Sequence, residues 1–261
     1  MKQYKYTETM KKNKLRWGKI IAESYYLENN NGKAIIFCSG IPGSSSYSEI
    51  AEKYVNEGFI FIHPKYLGSW ESYGNFSIEG CKKTIVNFVD ALKNKEVKTI
   101  FNENFDLEIK GFYLLGHSFG GSVALCAGTE LGINGIIALA PVIDYRVQGK
   151  GEYEEEKMDW LYTFIIAGFE NVYRNFDKTE WEKFCSGGSI LNVNDYLEKL
   201  KTKRILLIHG KEDISINYNS SRKFYSELKD LGGDIGYEET DDNHSSIKLN
   251  SFKKVVSWIK K

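Results

Sequence analysis

A serine within a G-x-S-x-G pattern, from Gly116 to Gly120, is the strongest chemical signal in this sequence. Ser118 follows the apolar run 111–115 and precedes the small-residue stretch 121–127, as expected for a sharp turn between a buried strand and a helix. In such a turn the serine adopts a strained backbone with its hydroxyl exposed, while the two glycines let strand and helix approach each other. The pattern predicts that Ser118 is a nucleophile.

A histidine base must accompany this serine, because a serine hydroxyl is a weak nucleophile near neutral pH. The chain has four histidines. His244 lies in the polar loop 241–246, after the last strand-like segment and before a closing helix, and it is the predicted base. His63 and His209 are expected to be structural, and His117, inside the turn, is expected to point away from the nucleophile.

A carboxylate must orient the base, and Asp213 is the predicted acid. It lies in the turn after the apolar run 204–208, and the resulting chain order of Ser, Asp and His is typical of one large class of serine hydrolases. Glu212 is the alternative one position earlier, and Asp144, beyond the preceding strand, is the main rival.

Backbone amides are the expected donors to the oxyanion that forms during acyl transfer. One is the N–H of Phe119, directly after the nucleophile. The loop Ser39-Gly40-Ile41-Pro42-Gly43 follows an early apolar strand, and the N–H of Ile41 is the second predicted donor, since Pro42 has no N–H.

Strands that alternate with helices must position these groups. Six apolar segments, followed closely by Gly, Pro or polar loops, predict an α/β fold with a mostly parallel central sheet flanked by helices. Candidate site residues follow these segments, where the carboxyl ends of parallel strands gather ligands. The predicted strands are 34–38, 59–62, 112–115, 135–140, 204–208 and 235–240. The first thirty residues are expected to add antiparallel strands.

Between the predicted strands 135–140 and 204–208 the alternation stops, and residues 145–197 are predicted to form a helical cap inserted over the site. Apolar residues recur at helical spacing from Met158 to Phe176, which predicts one amphipathic helix there. No repeat or linker divides the chain, so 1–261 is interpreted as a single domain carrying this insertion.

The composition excludes several classes of function. Thirty-five basic residues balance thirty-five acidic ones, so nucleic acid is not an expected partner. No apolar run is long enough to span a membrane, and no leader-like segment opens the sequence, so a cytoplasmic protein is expected. The four cysteines are widely spaced and predict neither a disulfide framework nor a metal site; no cofactor is expected.

From about residue 33 onward, the chain resembles the α/β-hydrolase fold superfamily, in its esterase or prolyl-oligopeptidase-like branch. The segments that carry this resemblance are the serine turn 116–120, the turn 209–213, and the loops 242–244 and 39–43. In the loop 39–43, Ser39 replaces the histidine usual in many members. The resemblance implies a serine hydrolase that cleaves a small-molecule carboxylic ester or thioester through an acyl-enzyme. A peptidase or amidase acting on a short peptide and a non-catalytic ligand-binding member are the alternatives.

Acidic residues of the predicted cap could hold the amino group of a peptide substrate, as in iminopeptidases; they are Glu152, Glu154, Glu155, Glu156, Glu170, Glu180 and Glu182. A homodimer is compatible with the sequence, which does not fix the oligomeric state.

Overall fold

A computed structural model describes residues 9–150 and 157–261, and these fold around a nine-stranded sheet. The strand order is β5-β1-β2-β4-β3-β6-β7-β8-β9. The strands are β1 (Lys11–Trp17), β2 (Ile20–Tyr26), β3 (Lys33–Cys38), β4 (Ile60–Pro64), β5 (Lys98–Thr99), β6 (Gly111–His117), β7 (Gly135–Leu139), β8 (Ile205–Gly210) and β9 (Ile235–Thr240). Neighbours from β4 to β9 in this order are parallel, whereas β1, β2 and β5 pair antiparallel.

All six predicted apolar segments form the parallel strands, and β1 and β2 are the antiparallel strands expected near the start. The α/β prediction is therefore confirmed. The central strands are buried on both faces because their side chains alternate between two layers. On β3, Ile35 and Phe37 pack into one apolar core, whereas Ile36 and Cys38 pack into the other.

Helices cover both faces of the sheet. They are α1 (Ser48–Val55), α2 (Ile78–Lys93), α3 (Phe119–Gly128), α4 (Met158–Gly168), α5 (Lys178–Cys185), α6 (Leu197–Leu200), α7 (Tyr218–Asp230), α8 (Ile247–Asn250) and α9 (Phe252–Lys260), with a 3-10 helix at Val193–Tyr196. Buried side chains of α2, α3 and α7 join one core, and those of α1 and α9 join the other. The carboxyl ends of the parallel strands thus open at one edge between these layers.

The chain between β7 and β8 carries α4, α5 and α6, in the region predicted to form a cap. The prediction of one helix from Met158 to Phe176 is wrong, because α4 ends at Gly168. Beyond this helix, Tyr173 forms an antiparallel bridge with Ser69. The backbone on either side of Tyr173 therefore makes hydrogen bonds to the loop around Ser69, and these replace the bonds of a continuing helix. Residues 151–156 of the predicted cap lie outside the described residues.

Within the described part of the chain, no helix has the length and apolar character needed to cross a membrane.

Candidate active site

Ser118 occupies a strained turn between β6 and α3. Its φ of 58° and ψ of −129° lie in a region that residues other than glycine rarely adopt. A Cβ on Gly116 would collide with the backbone of Gly120, and a Cβ on Gly120 would collide with the carbonyl oxygen of Cys38. The glycines are therefore needed for close contact of β6, α3 and β3, and this packing imposes the turn that carries Ser118.

His244 and Asp213 are joined across two loops at the ends of β9 and β8. His244 Nδ1 lies 2.7 Å from Asp213 Oδ2. Burial alone would raise the pKa of Asp213, but hydrogen bonds from His209, His244 and the backbone hold it well below its usual value. Because the carboxylate is ionised and can only accept, Nδ1 of His244 donates. In neutral His244 this leaves the lone pair on Nε2 free to take a proton.

Ser118 and His244 line the same polar cleft, which has a volume of about 180 Å³. No hydrogen bond joins the Ser118 hydroxyl to the His244 ring among the residues that the structure describes. Such bonds are often long in unliganded enzymes and tighten only in the substrate complex. The arrangement therefore holds an imidazole base next to the serine, with its tautomer set by Asp213.

Two further histidines support this pair, and the sequence had assigned them no part in it. His209 Nε2 lies 3.2 Å from Asp213 Oδ2, so the carboxylate is held from both sides. His117 Nε2 lies 2.7 Å from the carbonyl oxygen of His244, and the two rings are 4.6 Å apart. His117 was expected only to point away from the nucleophile, and its contact with His244 was not predicted.

The His117 ring is neutral, because burial and then the neighbouring His244 lower its pKa well below the usual value. A carbonyl oxygen can only accept, so Nε2 of His117 carries the proton. The sequence indicated these contacts only through position: His117 is the last residue of β6, and His209 is the last but one of β8.

Asp144 and Glu212, the alternative acids, do not contact a histidine. Asp144 accepts hydrogen bonds from Arg146, 2.7 Å from Nε, and from the Asn194 side chain. Glu212 is exposed, and its neighbour Asp213 is the buried member of the pair. Geometry thus favours Asp213 over both.

The loop after β3 brings Ile41 next to Ser118, and both residues line the polar cleft. The N–H of Ile41 has no hydrogen-bond acceptor within residues 9–150 and 157–261. Phe119 is the first residue of α3, where an N–H has no carbonyl within the helix to bind. Both amides are therefore free to donate to an oxyanion.

Three side chains from other elements hold this loop. Tyr66 Oη donates to the carbonyl oxygen of Ser39 over 2.8 Å, and the N–H of Gly43 donates to Tyr173 Oη over 2.7 Å. The ammonium of buried Lys65 donates to the carbonyl oxygen of Ser45. Tyr173 follows α4, so the segment between β7 and β8 helps to fix the loop that carries Ile41.

An apolar cavity of about 30 Å³ lies on the other side of Ser118. Most of its walls come from α3, from the loop after β7 and from the helices between β7 and β8; they include Phe119, Val142, Tyr145, Met158, Leu161, Trp181 and Phe184. A cavity needs about 10–15 Å³ of such space to hold one water molecule, so this one holds about two or three, and only a very short chain fits without moving these side chains.

Neither the cavity nor the polar cleft is lined by a carboxylate from the described residues. Glu180 instead accepts from the N–H of Glu79, whereas Glu170 and Glu182 are exposed. The remaining acidic candidates of the predicted cap, at 152 and 154–156, lie outside the described residues. The described residues likewise contain no group of three or more His, Cys, Asp or Glu that could hold a metal ion.

Comparisons with known proteins agree with this fold. The model of the prolyl oligopeptidase family matches residues 45–261. No curated protein matches the chain.

Among solved structures, an esterase of Pyrococcus furiosus has 20% identity and a TM-score of 0.69, with 97% of this chain and 90% of that chain covered. The esterase Est1E of Butyrivibrio proteoclasticus, with ferulic acid bound, has 17% identity and a TM-score of 0.65, with 92% and 95% covered. An acylaminoacyl peptidase of Pyrococcus horikoshii has 16% identity and a TM-score of 0.68, with 98% of this chain but 42% of that chain covered. These similarities show the α/β-hydrolase fold.

Proposed function

Because the chain belongs to the prolyl oligopeptidase family, and so to the serine hydrolases, we propose that it cleaves a carboxylic ester or thioester of a short acyl group. The observation that carries this proposal is the strained Ser118, which lies between a narrow apolar cavity and a cleft containing His244, itself bonded to buried Asp213. Nucleophile, base and orienting acid are the groups that acyl transfer needs.

The reaction has two steps. Ser118 Oγ attacks the acyl carbonyl while His244 Nε2 takes its proton, and the N–H groups of Ile41 and Phe119 donate to the oxyanion. The bond to the leaving group then breaks as His244 returns the proton to the leaving oxygen or sulfur. Water attacks the acyl-enzyme in the same way and releases the acid and Ser118. Asp213 stabilises the imidazolium throughout.

The acyl group occupies the apolar cavity in this proposal, and residues 145–197 act as the cap that excludes water from it. A cavity of about 30 Å³ accommodates an acetyl group and little more. A panel of p-nitrophenyl esters from acetate to octanoate tests this, with kcat/KM expected to be highest for acetate. The variant Leu161→Ala removes a half-buried wall residue and should move the optimum to longer chains. Ile166→Ala, exposed on the same helix, is the matched control.

Peptide or amide hydrolysis is the second candidate, and the family match is what favours it. Against an aminopeptidase stands the lack of a carboxylate lining either space at Ser118 within the described chain, since a substrate ammonium needs such a partner. Aminoacyl and prolyl anilides measured beside the esters decide between them. Faster turnover of the anilides would reverse the ranking.

A fluorophosphonate probe separates an enzyme from a silent ligand-binding member. We expect it to label the wild-type protein at neutral pH and to leave Ser118→Ala unlabelled. Ser122→Ala is the control, because Ser122 is a buried serine whose hydroxyl bonds to the carbonyl of Val142 instead of facing the cleft. Labelling that survives in Ser118→Ala would contradict the assignment of the nucleophile.

A further inference from the structure

The polar cleft beside Ser118 contains a lysine whose charge is not matched by any carboxylate among the residues that the structure describes. Lys248 is half-buried on α8, one helical turn beyond His244, and lines the same cleft. Its ammonium makes no hydrogen bond and no ion pair within residues 9–150 and 157–261. Burial lowers the pKa of Lys248 from its usual value, and no nearby anion raises it.

Three exposed lysines on the neighbouring elements are matched by carboxylates. The pairs are Lys211 with Asp241, Lys254 with Glu238 and Lys260 with Glu57. In the described part of these elements Lys253 also makes no ion pair, but it is exposed to water, whereas Lys248 is half-buried. Withdrawing an ammonium from water without a partner costs free energy, and a ligand that supplies the missing anion would recover it.

Lys248 also dominates the charge of the cleft. No carboxylate from the described residues lines this space, and the titratable residues there besides Lys248 are Tyr47, His117 and His244. Burial raises the pKa of Tyr47 and lowers that of His117, so both are neutral near pH 7. Among the described residues that line the cleft, Lys248 therefore carries the charge, and ionised Asp213 lies behind His244 and is paired with it.

The position of His244 identifies which half of the substrate enters the cleft. His244 must reach the leaving oxygen to return a proton to it, and it lines the polar cleft but not the apolar cavity. The alcohol or phenol half of the ester therefore lies in the cleft beside Lys248, while the acyl half lies in the cavity.

We propose that Lys248 is a specificity residue that binds a carboxylate on the leaving group, so that the substrate is a short-chain ester of an anionic alcohol or phenol. This inference rests on the proposed function. A single ammonium balances one negative charge, which favours a carboxylate over a dianionic phosphate. The cleft volume of about 180 Å³ is several times the roughly 10–15 Å³ that one water molecule needs, and it is enough for a small ring with one carboxylate.

Binding measured without turnover tests the inference independently of catalysis. In the Ser118→Ala background, calorimetry compares 4-hydroxybenzoate with its neutral analogue 4-hydroxybenzamide. We expect the anion to bind about tenfold more tightly than the amide. An ion pair with half-buried Lys248 should contribute more than a fully exposed pair and less than a fully buried one. Lys248→Met should bring the two affinities together, and Lys248→Arg should restore the preference. The exposed Lys253→Met is the matched control and should keep it.

Hydrolysis of 4-acetoxybenzoate and 4-acetoxybenzamide by the wild-type enzyme is the kinetic counterpart, with kcat/KM expected to be about tenfold higher for the anionic ester. Thermal unfolding checks that Lys248→Met is folded. Equal binding of the two ligands, or a preference that survives Lys248→Met, overturns the inference while leaving ester hydrolysis intact. If the wild-type protein shows no Ser118-dependent labelling and no ester hydrolysis, the proposed function is overturned. The binding comparison still decides whether Lys248 recognises the carboxylate.

Discussion

Replacing Asp213 with Asn should disable the base without removing it. Oδ1 of Asp213 accepts from the N–H groups of Ser215 and Ile216, both at 2.9 Å, and Oδ2 faces His244 and His209. An Asn side chain has one acceptor oxygen, and the two backbone donors fix it on their side. Its NH₂ group then faces both imidazoles and can only donate.

His244 must then accept at Nδ1 and carry its proton on Nε2, where it faces Ser118 and cannot act as a base. We expect kcat to fall on the order of 10⁴-fold, or about 5.5 kcal/mol of transition-state stabilisation, as in other triads where the tautomer is reversed. Steady-state hydrolysis of p-nitrophenyl acetate measures this fall, and thermal unfolding verifies that the variant is folded.

Asp144→Asn is the matched control, because Asp144 contacts Arg146 and Asn194 but no histidine. Its kcat should stay within about twofold of wild type, in line with a surface ion pair of small energetic worth. A kcat of Asp213→Asn within tenfold of wild type, together with a large loss in Asp144→Asn, would refute the assignment of the acid.

Three further predictions concern the support of the site. Gly120→Ala puts a Cβ against two backbone carbonyl oxygens and should lower the free energy of unfolding in urea by about 3 kcal/mol. Gly132→Ala is the control, because its Cβ would have no atom within 4 Å. Equal urea midpoints of the two variants would contradict this prediction. Tyr173→Phe removes the acceptor for the N–H of Gly43, a hydrogen bond worth about 1 kcal/mol. The variant should therefore have a kcat about fivefold lower and an unchanged KM. An unchanged kcat would contradict a role of Tyr173 in holding the loop. Burial lowers the pKa of Lys65 to about 8, so between pH 8 and about 10.4 the unfolded chain binds more protons than the folded one. The free energy of unfolding should therefore rise with pH over this range, by up to about 3 kcal/mol relative to Lys65→Met. If urea unfolding shows a difference between the two proteins that does not change with pH, this prediction is wrong.

Local patterns were sufficient where one short segment carries the information. The apolar segments predicted all six parallel strands, since a strand buried on both faces is read from a continuous apolar run. Ser118 was found from glycine spacing because the turn itself needs glycines. The positions of Asp213 and His244 followed from the rule that ligands gather at the carboxyl ends of parallel strands.

Predictions failed where contacts between distant segments decide the outcome. The apolar period continues to Phe176, but α4 ends at Gly168 because the following backbone bonds to the loop around Ser69. The contact of His117 with the carbonyl oxygen of His244, 127 positions later in the chain, was likewise not predicted. No periodicity encodes such a bond.

The sequence by itself therefore determined the class of chemistry: a serine at a strand–helix turn, a histidine and an aspartate in the right order, and the sheet that orders them. Only the tertiary structure decided how the space around Ser118 is divided. The narrow apolar side depends on helices inserted between β7 and β8, and the side that carries Lys248 depends on a lysine without a carboxylate partner in the described part of the chain. Cavity size and unmatched charge are properties of packing among distant residues, which a linear pattern does not record.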